Sequence, residues 1–124
     1  MDHVPAPVEL FLRSLPSRSK ILIPGCGQDY RTIDAFHRAG HRVLAIDFSP
    51  VAIDYTTHAL PELRDSIVLG DFFSYDFGNT KFDIVYERTF LCSLPPRLWK
   101  HYAARVAELL QPRGTLAGLF FYGD

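Results

Sequence analysis

A chain of 124 residues has room for one domain around a single core, here residues 1–124. Its 48% hydrophobic and 22% charged residues fit an ordinary soluble globular protein. Lys plus Arg is 13 against 14 Asp plus Glu, a formal charge of −1 with no polybasic run, which argues against nucleic acid and anionic membranes as partners.

The opening MDHVPAPVEL has no basic start leading into a long apolar core, and no stretch approaches membrane-spanning length, so a cytoplasmic location is expected. Val8, Leu10, Phe11, Leu12 and Leu15 predict a short amphipathic turn or helix that stops near Pro16. Strand-like runs follow at Ile21 to Ile23, Val43 to Ile46, Ile67 to Leu69, Phe82 to Tyr86 and Thr115 to Tyr122. Helical spacing lies between them, at Ile33 and Phe36, at Ala52, Ile53, Thr56 and Leu60, and at Leu98, Tyr102, Val106 and Leu110. Gly40, Pro61 and the stretch Pro112 to Gly114 are the expected helix stops. Ser74 to Lys81 reads as a polar loop. Strands alternating with helices imply right-handed crossovers and a parallel sheet covered on both faces, an α/β fold.

A parallel sheet of this kind binds ligands at the carboxyl ends of its strands. Those ends carry Gly25, Cys26 and Gly27 after the first strand, Asp47 and Phe48 after the second, Asp71 and Phe72 after the third, and Glu87 and Arg88 after the fourth. Gly25 and Gly27 lack a Cβ and let a ligand lie against the main chain, and Cys26 fills the small space between them. Asp47 stands 20 positions beyond Gly27, a spacing that suits a carboxylate gripping the two hydroxyls of a ribose.

Which ribose ligand follows from what the turn lacks. The third glycine of a dinucleotide fingerprint would fall on Tyr30, whose bulk obstructs a pyrophosphate, and no Gly-Lys-Ser/Thr follows for a phosphate loop. S-adenosyl-L-methionine carries no phosphate and needs less. Its methionyl end suits Gly25 to Gly27, its ribose Asp47, and its adenine Asp71 and the Phe72 N–H, with Phe48 against the base. Phe73 is read as core.

The segments IPGCGQDY, AGHRVLAIDFSPVAI, GDFF, FDIVYERTFLCSLPP, LLQPRGTL and GLFFYGD together resemble the thiopurine S-methyltransferase family, which includes thiol and halide methyltransferases. The likeness runs from about Pro5 onward, and YERTFLCSLPP is its most specific piece. It implies a three-layer Rossmann-like class I methyltransferase core, with about five parallel strands in the order 3-2-1-4-5. It also implies methyl transfer from S-adenosylmethionine to a small soft nucleophile such as a thiol, thiopurine, selenol or halide, with Arg88 helping to hold the cofactor's carboxylate. Asp29 stands where a third glycine is frequent. The family's N-terminal tryptophan segment, and the helix and two strands that follow its fifth strand, are expected to be missing from residues 1–124. The alternative is a catalytically inactive S-adenosylmethionine-binding remnant, and an uncovered fifth strand is expected to promote self-association and expose Phe120 or Phe121.

A thiol acceptor must lose a proton and a halide need not, so no catalytic residue is assigned, with Tyr86 and Glu87 the nearest titratable groups. Glu87 otherwise reads as a surface ion-pair member. Cys92 reads as a small hydrophobe, Trp99 as part of a helix face, and His37, His41, His58 and His101 as solvated. Cys26 and Cys92 lack metal-ligand spacing, so no metal site or disulfide is expected.

Overall fold

The short runs of Ile, Leu and Val form a parallel sheet in the computed structural model of the chain, which describes residues 15, 18–88 and 90–119. Its strands are β1 (Lys20–Pro24), β2 (Arg42–Asp47), β3 (Ile67–Leu69), β4 (Phe82–Arg88) and β5 (Leu110–Leu119), ordered β3-β2-β1-β4-β5. The helices between them are α1 (Tyr30–Arg38), α2 (Pro50–Ala59), the single turn α3 (Phe90–Ser93) and α4 (Trp99–Leu109), with short 3₁₀ turns at Pro61–Ser66 and Pro96–Leu98. The expected turn from Val8, the Cys92 side chain, and Phe120 and Phe121 lie outside the described residues.

Side chains alternate across the sheet, and this divides the core in two. Ile21 and Ile23 of β1 and Ile84 and Tyr86 of β4 pack with Ile33 and Phe36 of α1 on one face. Leu22 and Val85, one residue out of phase, pack with Tyr102, Val106 and Leu109 of α4 on the other. The register Ile21↔Val43 and Ile21↔Ile84 puts β1 in the centre. The chain runs outward from β1 to β2 and β3 and then crosses back to β4 on the other side of β1, so the strand order reverses between β1 and β4 and a crevice opens at the carboxyl ends of these strands.

Three expectations are corrected. The last helix stops at Leu109 rather than running to Pro112, because extended chain begins at Leu110. Leu110 pairs with Phe82 and Thr115 with Ile84, so the residues between form a bulge in which Pro112 needs no ladder N–H. A Cβ on Gly114 would lie 2.8 Å from Leu110 Cδ2 and 3.0 Å from the Asp83 carbonyl oxygen. His41 is not solvated: it is buried, and the Ser19 N–H donates to its Nδ1 at 3.0 Å. The loop Ser74 to Lys81 is not simply polar, since it buries Phe77 edge-on to Phe82 beneath the Arg105 guanidinium. Phe73, read as core, is half-buried against the α4 side of the sheet. No helix among the described residues is long and apolar enough to cross a membrane.

Candidate functional site

The chain leaves β1 through two residues in left-handed backbone, Gly25 at φ +61° and Gly27 at φ +56°, a region that L side chains adopt only with strain. Three bonds fix this turn. The Cys26 N–H donates to the Ile46 carbonyl at 3.1 Å, the Gly27 N–H to Asp47 Oδ2 at 2.8 Å, and the hydroxyl of Thr56 in α2 to the Gly27 carbonyl at 2.8 Å. The other oxygen of Asp47 accepts the Ser49 N–H at 2.9 Å, while Ser49 itself caps α2. Asp47 is therefore oriented by two main-chain donors at the tip of β2, and each oxygen keeps a lone pair for a further donor. Burial, and then the Asp47 carboxylate, push the Cys26 thiol up to about 12, so it stays protonated and fills the turn as a small apolar group.

Two cavities meet at Gly25. The first, about 240 Å³, is bounded by Asp47, Phe48, Asp71, Phe72 and Phe90 and is mostly apolar. Phe48 is 77% exposed and offers a free ring face, whereas Phe72 is buried among Phe73, Phe90 and Tyr102. Asp71 Oδ1 accepts the Phe73 N–H at 2.8 Å, and Arg105 of α4 donates to the carbonyls of Phe72 and Tyr75, which fastens this loop to the fold. The second cavity, about 230 Å³, is polar and is bounded by the glycine turn, Asp29, Thr32, Tyr86 and Arg88. There Arg88 Nη1 lies 3.4 Å from Asp29 Oδ2, and Asp29 caps α1 through Thr32.

Glu87 corrects its expectation: it is wholly buried, and Tyr102 donates to it at 3.0 Å, so it is not a surface ion-pair member. Burial raises the Tyr86 phenol, with the nearby Arg88 charge opposing. It therefore holds its proton at neutral pH and is a poor base. Among the described residues no cluster of His, Cys, Asp and Glu could hold a metal.

The sequence profile of the thiopurine S-methyltransferase family (TPMT) matches residues 1–121. The chain belongs to the thiopurine S-methyltransferase family. It is similar to "Probable thiol methyltransferase 2" of Arabidopsis thaliana, 32% identical over 112 residues that cover 87% of this chain and 48% of the relative. A thiopurine S-methyltransferase of Pseudomonas fluorescens (strain Pf0-1) is 28% identical over 125 residues, covering 86% and 56%. The chain thus spans about half the length of the curated relatives it matches. Among solved structures, a TehB-like SAM-dependent methyltransferase from Corynebacterium glutamicum superposes with a TM-score of 0.74 at 29% identity, covering 88% of this chain and 58% of that one. The glycopeptide N-methyltransferase MtfA, at TM-score 0.73 and 23% identity over 87% and 50%, shares the class I methyltransferase fold.

In this thiopurine S-methyltransferase family member, Gly25, Cys26, Gly27, Asp47, Phe48, Asp71 and Phe72 gather around the two cavities, and Arg88 borders the polar one. Phe90, which falls within YERTFLCSLPP, lines the apolar cavity, and Thr56 and Arg105 support the site without a motif of their own. Thr56 had a signal, a hydroxyl at a core-facing position of α2; Arg105 had none, because its partners are main-chain carbonyls of another segment.

Proposed function

We propose that residues 1–124 form one S-adenosylmethionine-binding domain of a methyltransferase that acts on a small soft nucleophile: a thiol, thiopurine, selenol or halide. The observation that carries this reading is the pair of cavities meeting at Gly25, one apolar beside Asp47 and one polar beside Arg88. A ligand with a nucleoside at one end and a charged amino acid at the other fits that division. On this reading Asp47 grips the ribose hydroxyls, Phe48 stacks on the adenine, and Asp71 with the Phe72 N–H reads its edge. Gly25 to Gly27 pass beneath the methionyl chain, and Arg88 meets its carboxylate.

When bound, S-adenosylmethionine supplies a methyl group on a positively charged sulfur. The chain's residues hold that ligand in one orientation and keep water from it, and alignment is the main protein contribution to an in-line displacement. Tyr86, kept neutral by burial, can donate but not take a proton near the polar cavity. The partner is a small-molecule acceptor rather than nucleic acid or membrane. A cytoplasmic location belongs to the same proposal, with which Cys26, a buried free thiol, is compatible. Calorimetry with S-adenosylhomocysteine, followed by detection of methylated product from a small thiol, tests the reading. Saturable binding and product formation are expected; binding without product with any thiol or halide would mark a non-catalytic binder.

A further inference from the structure

We propose that Asp29 takes the ammonium of the ligand's α-amino-acid end, beside Arg88, which on the reading above meets its carboxylate. The proposal rests on the reading above that the ligand ends in a methionyl group. Asp29 stands where the family frequently has a third glycine, a departure from its pattern. Its position in the fold gives that departure a use.

Asp29 and Arg88 are the charged side chains that border the polar cavity, whose wall is the Gly25 to Gly27 turn. The carboxylates Asp47 and Asp71 border the other cavity, so among the described residues the one cation of the two sites sits with Asp29. The separation of 3.4 Å between Arg88 Nη1 and Asp29 Oδ2 exceeds the roughly 2.7–2.9 Å of a well-made charge-assisted bond. Both side chains remain partly open, 42% exposed for Arg88 and 30% for Asp29. A loosely closed pair of this kind presents unused acceptor and donor capacity to a ligand carrying the opposite charges side by side.

Asp29 is also held in place before any ligand arrives. Its Oδ1 accepts the Thr32 N–H at 3.3 Å and its Oδ2 accepts the Thr32 hydroxyl at 2.7 Å, so the carboxylate cannot swing out of the cavity without uncapping α1. An acceptor fixed this way loses little side-chain freedom on binding.

The test is calorimetry of wild type and Asp29→Asn with four probes. S-adenosylhomocysteine carries both charges, its decarboxylated form the ammonium alone, its deaminated form the carboxylate alone, and methylthioadenosine neither. Asparagine remains a good helix cap, so α1 should persist, and an unchanged melting temperature checks this. Asp29→Asn should weaken S-adenosylhomocysteine and its decarboxylated form on the order of tenfold or more, and the other two less than about twofold. Equal weakening of all four probes, or of none, overturns the assignment of the ammonium to Asp29. If wild type binds none of the four, the methionyl reading itself fails and the proposal with it, an outcome distinct from a silent Asp29.

Discussion

Tyr102 donates a hydrogen bond to Glu87 Oε1 at 3.0 Å, joining the middle of α4 to the carboxyl end of β4 where solvent does not reach. Burial, and then the Glu87 charge, raise the Tyr102 phenol well above its ordinary value, so it stays a donor at any physiological pH. The bond fixes the strand end one residue before Arg88. Tyr102→Phe should destabilise the fold by about 1–3 kcal/mol, since a buried carboxylate loses a donor. Glu87→Gln keeps an acceptor for the phenol and should lose less. Urea denaturation of the two variants measures this, and a Tyr102→Phe protein as stable as wild type would show that the bond contributes nothing net.

Asp47→Ala removes the acceptor of the Gly27 and Ser49 N–H groups and, on the proposed reading, two bonds to ribose hydroxyls. Affinity for S-adenosylhomocysteine should fall by about 2–4 kcal/mol. Calorimetry gives the answer directly. Unchanged affinity would leave Asp47 as a brace of the glycine turn and nothing more.

The strands and the glycine turn could be read from the chain because both have local causes, whereas the strand order followed from the family resemblance. Ile21 to Ile23 is short, branched and followed by glycines, and Ile33 and Phe36 share one side of a helical turn. Contacts between distant segments were not legible in this way. His41 follows a glycine at a helix stop and reads as solvated, yet the Ser19 N–H donates to its ring across the start of the sheet. Glu87 beside Arg88 looks like a surface pair, but alternation along β4 turns it to the α4 face, where Tyr102 lies, while Arg88 at the exposed strand end turns to the opposite face. Asp29 looks like a lost glycine because its partner Arg88 lies 59 residues away. In each case the deciding atom belongs to an element whose position the sequence pattern does not specify.

Gly25 and Gly27 share a left-handed backbone but differ in their surroundings. A Cβ on Gly25 would overlap the Phe90 ring, lying 2.8 Å from its Cγ, whereas a Cβ on Gly27 would meet no atom within 4 Å. Gly27→Ala should therefore lose only the conformational term of about 1–2 kcal/mol, and Gly25→Ala distinctly more. In a Phe90→Ala background the further loss from Gly25→Ala should approach that of Gly27→Ala, with a coupling of roughly 0.5–3 kcal/mol in a double-mutant cycle. Additive effects would show that the ring yields freely.

β5 stands at one margin of the sheet, and among the described residues no strand pairs with its outer edge. Leu116 on this strand is 40% exposed. An unpaired apolar edge is a template for another chain, so we propose that the 124-residue chain self-associates there. Leu116→Lys should reduce the association by placing a charge on the edge. Light scattering across a concentration series is the check, and a wild-type monomer at the highest concentration would remove the proposal.

His41 gives the fold a dependence on pH with a definite sign. Its Nδ1 accepts the Ser19 N–H, so the native ring is neutral with its proton on Nε2, and burial lowers its pKa below the ordinary 6.5. In the unfolded chain the ring protonates first as pH falls, so the unfolded state binds more protons in that window and stability rises with pH. The contribution is complete above pH 6.5 and is lost as pH falls from there through the lower native value. Urea midpoints at about pH 7.5 and about pH 5 should differ more for wild type than for His41→Gln, which cannot take up the proton. The subtraction cancels the carboxylates common to both proteins. Equal differences would mean that the ring protonates in place and that Ser19 finds another acceptor.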